Sequence, residues 1–85
     1  ALLIPESNSL KDKRRVLRSL IDQLHDQFNV SAAEIGDNDI WRRSQVGVAC
    51  LSGDRTHANR VLQSALGLVD GEHRLEVLRA DIEWL

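Results

Sequence analysis

From Leu10 onward, apolar residues return every three or four positions: Leu10, Leu17, Leu20, Ile21, Leu24 and Phe28. That is the spacing of one face of an α-helix. Ser9 with Asp12 three residues later has the pattern of a capping box at its start. The spacing therefore predicts a helix from Leu10 to about Phe28. Ala58, Val61, Leu62, Ala65, Leu66 and Val69 form a second stripe of the same kind. Asp54 is placed to cap that helix and Gly71 to end it. Around the two helices the pattern shortens. "ALLI" (1–4) reads as the end of a strand, stopped by Pro5. Residues 30–36 read as a second strand and "DNDI" as a loop of turn formers. "SQVGVACLS" alternates, with Val46, Val48 and Cys50 on one face. "RLEVLRADIEWL" places Leu78, Ala80, Ile82 and Trp84 on one side of a last strand.

Strand, helix, strand, strand, helix, strand is the order of two split βαβ halves. It predicts an α+β ferredoxin-like βαββαβ sandwich, one antiparallel sheet with two helices on one face, in a single domain over 1–85. In that topology the first strand is central, yet only Ala1–Ile4 is present to build it. Its neighbours would be left poorly paired unless upstream residues or a partner completed it; the first is expected.

Composition narrows the function classes. The 85 residues are 42% apolar and 28% charged, with net charge −2 and one cysteine. These values fit an ordered globular domain and argue against disorder. A single cysteine forms no internal disulfide and suits a reducing compartment. No apolar run is long enough to span a membrane, and no targeting segment is evident. A slightly acidic chain binds nucleic acid only through a local basic patch.

Such a patch exists. At about 100° per residue, Lys11, Arg14, Arg15 and Arg18 fall within about one-third of the first helix's circumference, and His25 extends the stripe. This surface is suited to several phosphates of one nucleic-acid backbone. It also reads as a solvated face carrying Arg18–Asp22 and Asp12–Arg15 pairs, or as a protein interface. Cations in the first turn oppose the helix dipole, at roughly 0.3–1 kcal/mol each when exposed. Lys13 lies among the apolar positions; it either snorkels past the core edge or pairs with a carboxylate on a neighbouring strand or loop. A second cluster is Trp41-Arg42-Arg43. The Trp would stack a base while the arginines hold phosphate, or it would close the edge of the core. The candidate nucleic-acid contacts are thus Lys11, Lys13, Arg14, Arg15, Arg18, Arg42 and Arg43. The aromatic platform of an RRM and the Gly-x-x-Gly loop of a KH domain are both missing, so base-specific reading has little support.

Catalysis has no positive signal. Cys50 sits in an apolar alternation and is expected to be buried and inert. His25, His57 and His73 lack metal-ligand spacing. Asp37 and Asp39 read as a turn-forming, solvated pair, since the other ligands of a calcium loop do not follow. No catalytic, metal or cofactor residues are expected.

"SLKDKRR", with "FNVSAAEIGDNDIW" and the later "SGD", resembles the YlxP-like family of small bacterial proteins, over nearly all 85 residues. That family is catalogued as a domain of unknown function. The resemblance implies a ferredoxin-like fold and a bacterial cytoplasmic protein. Family genes often adjoin those for a translation initiation factor and ribosome-binding factor A, which implies ribosome-linked work. The expected function is a non-enzymatic module contacting ribosomal RNA or a ribosomal subunit. The alternative is a protein-interaction module, such as a homodimer in which the Asp37/Asp39 loop meets the basic helix of a second copy or an edge strand pairs across a two-fold axis.

Overall fold

The computed structural model describes residues 1–85. Its elements run β1 (Leu2–Leu3), α1 (Leu10–Gln27), β2 (Ser31–Gly36), β3 (Arg43–Ala49), α2 (Arg55–Asp70) and β4 (Glu76–Val77). The strands make one antiparallel sheet in the order β2-β3-β1-β4. Leu17, Leu20 and Leu24 of α1 and Ala65 and Val69 of α2 share one core with Leu2, Ile4 and Leu75. Both helices therefore cover the same face of the sheet, as in the ferredoxin-like arrangement.

Local chemistry sets the helix ends. Ser9 Oγ accepts from Asp12 N at 3.0 Å, and the Asp12 carboxylate accepts in turn from Asn8 N at 3.1 Å. The cap thus reaches one residue further back than the usual reciprocal box. Asp54 Oδ1 accepts from Thr56 N and His57 N, satisfying two free donors of α2 and placing an anion at its positive end. Gly71 ends α2 at φ −80, so its left-handed freedom is not what stops the helix.

Two halves of the sheet differ in length. β2 and β3 pair from Ser31↔Ala49 to Gly36↔Gln45, with a bulge at Ile35. A Cβ on Gly47 would come within 3.1 Å of the Ile35 side chain, so Gly47 is what lets that side chain lie across the sheet. β1 pairs β3 and β4 over two residues only (Leu2↔Ser44 and Leu2↔Val77 at one level). Beyond Val77, Leu78 N and Arg79 N both turn to the Ala1 carbonyl. The ladder of β4 ends there, and residues 78–85 lie in no strand. The last strand is thus shorter than the expected run through Trp84, and Leu78, Ala80, Ile82 and Trp84, expected on one side of it, lie beyond it and are exposed. Leu75 and Val77 face the core, and the even-numbered residues are exposed. Trp84 instead packs on the guanidinium of Arg55, 4.6 Å from the ring centroid. No helix is long and apolar enough to cross a membrane.

Candidate nucleic-acid interface

Lys13 occupies an apolar-stripe position one turn into α1, and none of it is exposed to solvent. Its Nζ lies 3.0 Å from Glu34 Oε2 on β2. The same ammonium donates to the carbonyls of Asp37 (2.8 Å), Asn38 (3.1 Å) and Arg43 (3.2 Å). Buried Ser44 donates its hydroxyl to Glu34 Oε2 at 2.6 Å. A buried ammonium is tolerated only with this degree of compensation. Asp37 adopts φ 57, the left-handed region that an Asp side chain tolerates, and the turn brings two successive carbonyls onto one cation. Lys13 is therefore not a surface contact. Its charge is spent inside the fold, where it ties α1 to β2 and to the 37–43 loop. The carboxylate it pairs with, Glu34, was legible as an acid at an inward position of β2, between Ala32 and Gly36.

Lys11, Arg14, Arg15 and Arg18 are all exposed. They line an open groove of about 970 Å³ along the outer side of α1, with Glu34 at its wall. None of the four is ion-paired. The expected Arg18–Asp22 and Asp12–Arg15 pairs do not form, and Asp12 serves Asn8 N instead. Asp22 and Asp26 lie further along the same groove. The exposed charge of α1 thus runs positive to negative along a dipole that favours the reverse. His25 does not extend the cationic stripe. Its Nε2 accepts from Ala32 N at 3.1 Å, which ties the ring to the start of β2.

The Trp41-Arg42-Arg43 cluster is divided. Arg42 turns back to the start of α1, donating from Nε to Ser7 O (2.9 Å) and from Nη2 to Asn8 Oδ1 (3.2 Å). Arg43 alternates with Ser44, which faces the helices, so Arg43 stands on the opposite, open face of the sheet, away from the stripe. Trp41 is 56% exposed and does not close the core edge. The structure therefore brings Arg42 and Trp41 to the end of the molecule where α1 begins. It separates off Arg43 and buries Lys13.

Other groups fall outside this surface. Cys50 is half-buried rather than buried. It lines a cavity of about 820 Å³ walled by Val48, Leu51, Ala58, Leu62 and Trp84, with Asn29, Ser31, Ser52, Arg55 and Glu83 supplying polar groups around it. No group of three or more His, Cys, Asp or Glu side chains is arranged to hold a metal. Asp37 Oδ2 is 3.5 Å from Gln45 Nε2. At the far end of α2, Glu72 accepts from Arg74 Nε (2.8 Å) and Nη2 (2.9 Å). The Arg74 side-chain bonds hold the Glu72 carboxyl at a pKa of about 2, and Arg74 is raised in return. Arg74 also donates to Ser19 Oγ of α1 at 3.1 Å.

A small α+β domain with one tethered lysine and an unpaired basic helix face is the class this geometry defines. Residues 1–82 match the family described as "Protein of unknown function (DUF503)", and the chain belongs to that family. It is 35% identical over 82 residues to a Bacillus subtilis (strain 168) relative described as "Uncharacterized protein YlxP". That match covers 96% of this chain and 89% of the relative. No solved structure matches it significantly.

Proposed function

We propose that this domain is a cytoplasmic, non-enzymatic module that contacts RNA phosphates, on the ribosome, through the outer face of α1. The observation that carries the reading is the set Lys11, Arg14, Arg15 and Arg18: four exposed cations on one helix face, none ion-paired, with Lys11 in the first turn against the helix dipole. Leaving cations unpaired at an unfavourable end costs stability and is offset when phosphates meet them. Arg42 adds a partly free guanidinium beside the start of the helix. The gene neighbourhood of the family supports a ribosomal setting.

Co-sedimentation with bacterial ribosomal subunits across a salt series tests this. Four phosphate contacts give a log–log slope of about −3 to −4. The Arg14/Arg15/Arg18→Glu variant is expected to lose most of the binding and most of the slope. Equal behaviour of the two proteins, or no binding at low salt, defeats the proposal.

One observation favours a second reading. The groove on α1 is basic near Lys11–Arg18 and acidic at Asp22 and Asp26, so two copies of α1 packed antiparallel would match opposite charges. A solution mass that stays monomeric at every concentration removes this homodimer.

A further inference from the structure

We infer that the nucleic acid taken by this surface is single-stranded, with one unstacked base seated on Trp41; the inference rests on the RNA-contacting reading of α1. Trp41 is large, apolar and 56% exposed, with neighbouring Ile40 also exposed. Exposure of that kind is usual on mobile loops, but this loop is pinned from several sides. Lys13 Nζ grips the carbonyls of Asp37, Asn38 and Arg43. Ile40 N closes a turn onto Asp37 O at 3.1 Å. Arg42 is bonded through its side chain to Ser7 and Asn8, and its carbonyl accepts from Ile4 N at 2.7 Å. A half-exposed indole carried on a pinned backbone is a preorganised stacking surface, since little backbone entropy remains to be lost when a base lands on it. Arg42 links it to the residues just before Ser9, so the platform and the first turn of the cationic stripe share one end of the molecule.

That juxtaposition separates strand types. A continuous duplex hides its base faces and would meet only the cations. A single strand presents phosphates to Lys11, Arg14, Arg15 and Arg18 and a base face to the indole.

The test is fluorescence titration of the full chain in a Trp84→Phe background, where Trp41 is the sole indole. The probes are an oligouridylate of about 12 nucleotides and an RNA duplex of similar length. The single strand is expected to quench Trp41 and to bind at least about 5-fold more tightly than the duplex. Trp41→Ala should weaken single-strand binding about 5-fold or more, and Trp41→Phe much less, since a base–aromatic stack is lost only in the first. Neither change should alter the salt slope, because no phosphate contact is removed. Salt-dependent binding that ignores Trp41→Ala, or that does not favour the single strand, overturns this inference and leaves the basic helix reading standing. Absence of salt-dependent binding to either probe overturns both.

Discussion

Two lysines two residues apart on α1 meet opposite fates. Lys11 is exposed and unpaired beside Arg14, Arg15 and Arg18. Lys13 is fully enclosed, with a carboxylate and three carbonyls around its ammonium. The difference follows from helix phase: two positions is about 200° of rotation, from the outer side to the core side. A cation on the outer side interacts weakly with everything in its own fold and stays available to a partner. A cation on the inner side must be compensated in full, and its removal is felt throughout the domain. A count of positive residues in "KDKRR" treats the two as equal and put both among the candidate phosphate contacts; helix phase sets Lys13 among the apolar positions, and of its two expected placements the pairing with a carboxylate on a neighbouring strand is the one that forms.

The largest expected effect is at the buried member. Lys13→Met removes the ammonium and leaves Glu34 without its cation and three carbonyls with a donor fewer. A loss of about 3–5 kcal/mol is expected, which is a large share of what a domain of this size holds. Chemical denaturation measures it, and a variant that unfolds at the parent midpoint would erase the distinction between the two lysines. Glu34→Gln is the milder cut. It keeps the shape and an acceptor for Ser44, but it leaves a buried ammonium facing neutral groups only, for about 1–3 kcal/mol. A double variant, Lys13→Met with Glu34→Gln, should cost less than the sum of the singles, because each single change strands the other partner.

Glu72–Arg74 lies between the extremes. Glu72 is mostly covered, while Arg74 is more than a third exposed. With the folded carboxyl held at about 2 against an ordinary 4.5, the folded state binds that proton less readily than the unfolded state. Its contribution is therefore complete above about pH 4.5 and is lost as pH falls toward 2. Solvent screening on the Arg74 side reduces it to about 1–2 kcal/mol. Stability curves of the parent and Glu72→Gln should converge on acidification across that window. A constant offset down to pH 2 would place the effect elsewhere.

The smallest expected effect belongs to the exposed lysine, and it has the opposite sign. Lys11→Glu exchanges an unfavourable first-turn charge for a favourable one and should stabilise the domain by about 0.3–1 kcal/mol. The same variant should weaken ribosome or RNA binding. Thermal melts with co-sedimentation on one preparation would sharpen the contrast, since no change to the Lys13 site is expected to raise stability.

Much of the architecture was legible along the chain because it depends on local periodicity. The three-and-four spacing of Leu17, Leu20 and Leu24, the caps Ser9 and Asp54, and the alternation through Val46 and Val48 are short-range signals. Six elements in that order leave few topologies other than the ferredoxin-like one. The last strand was less legible. Alternation in "RLEVLRADIEWL" fits either face, and only pairing chooses. Here Leu2 pairs with Val77 and Leu3 with Glu76, and in that register Leu75 and Val77 face the core.

The basic helix face could be placed from sequence alone, since Lys11, Arg14, Arg15 and Arg18 share one helix and helix phase puts them on one side. What the other cations do was decided by tertiary structure. Glu34 lies 21 positions from Lys13, Arg42 reaches Ser7 across 35, and His25 meets Ala32 through a backbone turn. Each outcome depends on which residues the folded sheet and loops bring within hydrogen-bond distance. A one-dimensional pattern carries the phase of an element about its own axis; it does not carry the distances between elements, and those set whether a charge is spent in the fold or left for a partner.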